Sequence, residues 1–265
     1  MVVIEVEEIV FYYDSTPVLR GVSIRLTSGK LITILGPNGS GKTTLLKCLC
    51  RLLRPKVGYV RFDGQDVWDI GMRLFARQVG YVPQRHHPVY PYRVIDVIAS
   101  GRTPYIDFFE MPSRKDYEIA LQALRLVGLE HLAERPYTEL SDGELRLVLI
   151  ARALAQNPKV LLLDEPTANL DFKNKIIVMK ALKELAKRDL LVLVTEHDPN
   201  IAAMFSDEVI LLKDGKVIAH GKPCRVINRD SMKALYNVDV HIISLNIGDN
   251  NSGENMLKII IPKFS

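Results

Sequence analysis

No uninterrupted apolar run in this sequence approaches the ~20 residues that a helix needs to span a bilayer. Cysteine is scarce, with three in 265 residues, which excludes a disulfide-stapled scaffold. Cys48, Cys50 and Cys224 are expected to be buried or inert thiols in a reducing cytoplasm. Cys48 and Cys50, two apart on an expected helix, should point different ways. Neither sign of charge dominates: 35 Lys and Arg face 31 Asp and Glu, a net charge of +4. The basic residues are scattered, so nucleic acid is not an expected partner. The opening MVVIEVEEIV has early glutamates and no basic stretch, so no secretory leader is expected. No internal repeat is evident. The adjacent His86 and His87 have no convergent third ligand in sequence, so no metal is expected there. What is present suits one large or two small globular domains, soluble and intracellular: 48% of residues are hydrophobic and 25% charged.

Residues 2–10 and 18–26 read as strands joined by a turn at 14–17. KLITIL is a short apolar strand, followed by the glycine-rich GPNGSGKTT and the amphipathic helix LLKCLCRLL. Residues 58–63 and 79–82 read as further strands. The proline-rich stretch 83–113 holds a helical patch, RVIDVIASG, and 114–129 has helical periodicity with a stop at Gly128. LSDGELRL starts a helix that runs to Ala155, with Ser141 as N-cap and Glu144 completing a capping box. VLLLDEPT is an all-apolar strand ending in two carboxylates. A helix at 172–188, the strand LLVLVTEH, a helix opened by Pro199 and an Asp-Gly hairpin, EVILLKDGKVIAHG, complete the pattern. Strands alternating with helices predict an α/β fold with a mostly parallel sheet and an inserted helical section. In the tail, NIGDNNSGEN reads as a loop between strand-like pieces at 238–245 and 256–261, expected to add two strands to the cassette's edge.

Gly36, Gly41, Lys42 and Thr43 satisfy GxxxxGK[ST] between an expected strand and an expected helix. Glycine there lets backbone N–H groups turn inward around phosphate oxygens, and the helix N-terminus adds partial positive charge. Lys42 is suited to the outer phosphates and Thr43 to Mg²⁺. Asp164, at the end of the apolar strand, is suited to the Mg²⁺ water shell. Glu165, one residue on, is placed to orient or deprotonate an attacking water. His197 ends the next strand, beside the expected nucleotide.

Together these pieces resemble the ATP-binding cassette (ABC) family of ATPases over residues 2 to about 240. GPNGSGKT resembles its Walker A motif and VLLLDE its Walker B. Gln84 in YVPQ matches the Q-loop glutamine, Asp171 in ANLD the D-loop aspartate and His197 the switch histidine. Tyr13 matches the aromatic residue that stacks on adenine; Tyr12, on the opposite strand face, is the alternative. LSDGE falls where the family has LSGGQ. The resemblance implies a P-loop NTPase core with an N-terminal antiparallel β subdomain. A helical subdomain at about 86–156 would be inserted in a cassette spanning 1–240, and 241–265 would form a short β extension. It implies that ATP is held by Tyr13, Gly36, Pro37, Asn38, Gly39, Ser40, Gly41, Lys42, Thr43 and Thr44. Mg²⁺ would lie at Thr43, Gln84 and Asp164. Glu165, His197, Lys42 and Gln84 would be catalytic. The family dimerises head to tail, so Ser141, Asp142, Gly143 and Glu144 would face the ATP of a second copy. Asp142 and Glu144 replace a glycine and a glutamine of that signature, and their charge is expected to weaken ATP-driven closure.

A single cassette without a span implies separate permease subunits and peripheral attachment at the cytoplasmic face of the membrane. Val94, Val97, Gly101, Arg102 and Pro104 resemble the importer branch for iron-siderophore, haem and cobalamin, which also includes molybdate and tungstate importers. In that branch these residues contact the permease, and a solute-binding protein acts indirectly. Val89, Tyr90 and Tyr92 are suited to the docking groove. The rival readings are an oxyanion importer, an efflux or non-transport cassette and a non-hydrolysing nucleotide switch.

Overall fold

The computed structural model describes residues 1–246 and 256–263. β1 (Val3–Tyr13) and β2 (Thr16–Thr27) form an antiparallel hairpin whose turn is only Asp14 and Ser15, tighter than expected. The adjacent acids Glu7 and Glu8 interrupt the alternation of β1. A register shift there, with Glu8 at φ 48°, absorbs the extra residue and keeps Ile4, Val6, Ile9 and Phe11 all buried.

β3 (Lys30–Leu35) leads through the glycine-rich loop into α1 (Lys42–Leu49). β4 (Val57–Phe62) and β5 (Gln65–Asp66) complete a four-stranded sheet of order β2-β1-β4-β5. α2 (Met72–Gln78) enters β6 (Val79–Val82). A helical section follows: α3 (Val94–Ala99), a 3₁₀ turn over Ser100–Tyr105, α4 (Arg114–Leu126) and α5 (Asp142–Leu154). Its interior is Val94, Ile98, Ala120, Leu124 and Val148, which the helical period of each segment turns to one side. The chain then runs through β7 (Val160–Leu163), α6 (Phe172–Ala186), β8 (Leu191–Glu196) and α7 (Pro199–Phe205). β9 (Glu208–Lys213) and β10 (Lys216–Gly221) form the expected hairpin, with Asp214 and Gly215 both at positive φ as its turn type requires. α8 (Pro223–Val226), α9 (Arg229–Tyr236), β11 (Val240–Asn246) and β12 (Met256–Pro262) complete the described residues.

The main sheet has order β10-β9-β3-β8-β7-β6, and every neighbour pair except β10–β9 is parallel. Helices cover both faces, so β7 and β8 are buried at every position, the reason they read as continuous apolar runs. Parallel pairing has one consequence for function. The carboxyl ends of β3, β7 and β8 share an edge, which brings the glycine-rich loop, Asp164–Glu165 and His197 together.

The tail forms the two expected strands, β11 and β12. They pair with each other in a separate two-stranded sheet and do not extend the main one. α8 and α9 intervene after β10 and place the hairpin over the helix layer. There Val240 and Ile260 pack with Leu35, Ala202, Leu211, Met232 and Leu235. The loop expected at 246–255 lies, apart from Asn246, outside the described residues. Among the described residues no helix is long and apolar enough to cross a membrane.

Candidate active site

Two kinds of glycine shape the loop before α1. Gly41, the residue preceding the helix, has φ 102°, and Gly39 has φ 78°, conformations that a side chain would strain. Gly36 is needed for space: a Cβ would lie 2.2 Å from the Leu212 carbonyl oxygen. Lys42 is buried, and its Nζ donates to the carbonyls of Gly36 at 2.8 Å and Pro37 at 3.0 Å, standing 3.9 Å from Glu165 Oε1. Burial lowers its pKa, opposed by the charges of Glu165, Asp164 and Glu196. The Ser40 hydroxyl is buried without a protein partner, an orphan that a phosphate oxygen would satisfy.

Around the lysine the carboxylates form a hydrogen-bonded chain. Asp164 Oδ1 accepts from Thr43 Oγ1 at 3.0 Å and from Thr195 Oγ1 at 2.8 Å. Thr195 Oγ1 in turn accepts from the Glu165 backbone N–H at 2.8 Å. Glu165 Oε2 accepts from Gln84 Nε2 at 2.6 Å. The structure therefore brings Lys42, Thr43, Gln84, Asp164 and Glu165 into one network. His197 follows β8 directly, with an exposed ring. Asp171 caps α6, accepting from Asn174 N at 2.7 Å. Tyr13 sits edge-on to Phe11, centroids 5.0 Å apart, while the Tyr12 ring lies under the Lys56 ammonium at 5.2 Å.

The helix cap at α5 forms as the sequence implied. Ser141 Oγ accepts from Glu144 N, and Glu144 Oε2 accepts from Ser141 N at 2.9 Å. These bonds hold the Glu144 pKa below the usual carboxylate range. A Cβ on Gly143 would lie 2.6 Å from Asn174 Cγ, so the end of this α6 side chain occupies the space beside the glycine. Among the described residues no hydrogen bond joins 141–144 to the loop 36–44 of the same chain.

Sequence reading missed three functional neighbours. Arg146 donates from Nη1 to Pro83 O at 2.9 Å and from Nη2 to Gln84 O at 2.8 Å, tying α5 to the backbone that carries Gln84. Thr195 bridges the Asp164 carboxylate and the Glu165 backbone N–H. Glu196 is fully buried; its Oε1 accepts from Thr167 Oγ1 at 2.5 Å and its Oε2 has no partner. Burial pushes its pKa up to about 7. A glutamate in an otherwise uncharged, buried strand was the available signal.

The expected permease-contact pattern is corrected in part. Val94, Gly101 and Arg102 are interior residues. Gly101 lies where a Cβ would meet the Arg152 carbonyl at 2.1 Å. Arg102 is 7% exposed, donates to Asp116 at 3.0 Å and to Ala155 O at 2.8 Å, and stacks over Tyr105. Their spacing reflects packing of the helical section. Within the stretch 83–113 the exposed large apolar residues are Val89, Tyr90 and Tyr92, as expected, together with Phe108, Phe109 and Met111, which DFFEM between prolines could have signalled.

Comparison with known proteins agrees with this geometry. The ABC transporter family profile matches residues 19–168. An uncharacterised ABC transporter ATP-binding protein of Methanocaldococcus jannaschii is 42% identical over 243 residues, 91% of this chain and 94% of that protein. A Helicobacter pylori protein named "Probable iron chelatin transport ATP-binding protein" is 35% identical over 91% of this chain and 95% of its own length. The inward-facing structure of a metal-chelate type ABC transporter superposes with a TM-score of 0.85 at 31% identity, covering 99% of this chain and 98% of that one. With its P-loop core, antiparallel β subdomain and inserted helices, the chain belongs to the ABC transporter family of ATP-binding, ATP-hydrolysing proteins.

Proposed function

We propose that the chain is the ATPase subunit of an importer, energising uptake of a metal chelate through separate permease subunits at the cytoplasmic face of the membrane. The observation that carries the hydrolytic half is the network Thr43–Asp164–Thr195–Glu165–Gln84 beside Lys42. Likeness to the iron-chelatin ATP-binding protein and to the metal-chelate type transporter supports the solute class.

Backbone N–H groups of residues 39–44 and Lys42 hold the phosphates of ATP, and Tyr13 stacks on adenine. Phosphate oxygens replace the Gly36 and Pro37 carbonyls as partners of Lys42. Thr43, Asp164 and the Gln84 amide oxygen form a hard oxygen donor set that suits Mg²⁺, which would neutralise charge on the β- and γ-phosphates. Glu165 takes a proton from the water attacking the γ-phosphorus, and Gln84 fixes the carboxylate's orientation. His197 donates to the transferring phosphoryl group. A second copy, docked head to tail, supplies Ser141 and Gly143 to the same ATP, and Asp171 lies in the loop that meets the partner. The permease occupies the exposed apolar surface at 89–92 and 108–111 and responds to closure. A solute-binding protein delivers the chelate.

Steady-state ATPase assays test this. Glu165→Gln and Lys42→Ala are expected to lose at least about 100-fold in kcat, the range for removing a positioned acid–base group. Glu165→Gln should still bind ATP, whereas Lys42→Ala should bind it weakly. Near-wild-type turnover in Glu165→Gln would sink the mechanism. Uptake of a labelled ferric siderophore or cobalamin by cells carrying or lacking the chain tests the solute class.

A further inference from the structure

Two ties reach the segment that carries His197, one from α9 and one from the C-terminal hairpin. The Tyr236 hydroxyl, at the end of α9, donates to the His197 carbonyl oxygen at 2.9 Å. Three residues after His197, the Asn200 side chain grips the backbone of β12 from both sides. Its Nδ2 donates to Ile260 O at 3.1 Å and its Oδ1 accepts from Ile260 N at 2.8 Å. An amide is the neutral side chain that offers donor and acceptor together in this way, matching one residue of a strand. Between the two ties, Asp198 caps α7 by accepting from Asn200 N at 2.8 Å.

The surroundings make these bonds the determinants of position. A cavity of about 300 Å³ lies against His197, Asn200, Tyr236, Val240 and Ile260, so side-chain packing does not fill that side of the histidine. Burial raises the Tyr236 pKa well above its ordinary value, with the Asp198 and Glu196 charges adding to the effect, so the phenol stays a donor. The other ends of the ties are anchored in a buried apolar cluster. Val240, Ile260 and Leu235 pack with Leu35, the last residue before the phosphate loop. One apolar cluster thus holds both the start of that loop and the elements that grip the histidine segment.

We propose that Tyr236 and Asn200 are positioning residues through which α9 and the C-terminal hairpin fix the backbone of His197 for hydrolysis. The proposal rests on the reading of His197 as the group that meets the γ-phosphate. It gives the extension beyond the cassette a role in turnover rather than in nucleotide binding, since neither tie reaches the loop 36–44.

The full-length chain is compared as wild type, Tyr236→Phe, Asn200→Asp and His197→Ala. Tyr236→Phe removes one hydroxyl, and Asn200→Asp keeps the acceptor but turns the donor into a charge facing Ile260 O. Each is expected to lower kcat about 5–20-fold, the scale of one misplaced hydrogen bond, with KM and the Kd for ATP unchanged within twofold. In histidine-labelled protein, the His197 ring resonance should shift or broaden in both variants while the other histidines hold. Unchanged kcat and an unchanged His197 resonance, with His197→Ala inactive, would overturn the tie alone. Wild-type turnover in His197→Ala would overturn the reading of His197 and the proposal with it. Parallel losses in kcat, ATP affinity and thermal midpoint would reduce both residues to structural ones and overturn the positioning role.

Discussion

Glu196 is a carboxylic acid buried one residue before His197, with Lys42 from α1, Glu165 after β7, Asp198 on its own segment and Tyr236 from α9 as its charged or titratable surroundings. Burial is the largest influence, and it favours the proton: the pKa rises from 4.5 to about 7. Below pH 4.5 both folded and unfolded chains carry the proton, and ionisation costs the fold nothing. Between 4.5 and 7 the unfolded chain loses its proton first, so stability falls as pH rises. Above pH 7 the whole penalty, about 3 kcal/mol, is in place. Glu196→Gln keeps an acceptor for Thr167 and cannot ionise. Its stability relative to wild type should therefore improve by up to about 3 kcal/mol between pH 5 and pH 8, measured by urea unfolding. A difference that is the same at both pH values would contradict the buried-acid account. This residue marks a limit of sequence reading. Lys42, Asp164 and Glu165 stand at fixed offsets in motifs, and their chemistry follows from spacing. Glu196, Thr195 and Thr167 meet only because parallel strands β7 and β8 end side by side, a contact about 30 positions apart in sequence that no local pattern encodes.

At the level of elements, α5 carries both a legible and an illegible feature. Its cap was readable, because Ser141 and Glu144 bond each other within one turn. The neighbour of Gly143 was not, because it lies on α6. Alanine at 143 would gain up to about 1 kcal/mol of helix propensity and would meet only the end of the Asn174 side chain, which is partly exposed and can turn aside. Gly143→Ala should therefore be neutral or stabilising by up to about 1 kcal/mol in urea unfolding. Destabilisation would show that Asn174 is held where it stands. Arg102 makes the same point for the helical section. Its spacing resembles a partner-contact pattern, yet its guanidinium is inside, paired with Asp116. Arg102→Ala should cost about 3 kcal/mol by leaving that carboxylate partly buried and unpaired. Only a surface role would leave thermal stability unchanged. The bulge at Glu7–Glu8 is the strand counterpart: the two acids visibly broke the alternation, but which way the phase shifted depended on the partner strands.

The whole molecule acts, in this reading, as half of a head-to-tail pair, and there the departure at Asp142 matters most. α5 presents its N-terminus to the partner's ATP, with Asp142 and Glu144 both in the first turn. Glu144 is spent on the cap. Asp142 is one turn from Arg146, and its charge favours that buried guanidinium, which grips the Pro83 and Gln84 carbonyls. Its carboxylate therefore does two things at once: it opposes an incoming γ-phosphate and steadies the strap to the Q-loop. A charge at a helix N-terminus is worth about 0.3–1 kcal/mol, and a closed pair contains two such sites. Removing it should tighten ATP-driven dimerisation by about 3–30-fold in total. Asp142→Asn and Asp142→Gly, each in a Glu165→Gln background, separate charge from backbone. Both should dimerise at lower protein concentration with ATP than Glu165→Gln alone, by sedimentation, and the gain should shrink in high salt because it is electrostatic. If Asp142 served mainly to hold Arg146, these variants would instead dimerise no better, and the single Asp142 variants with Glu165 intact would lose turnover through a misplaced Gln84.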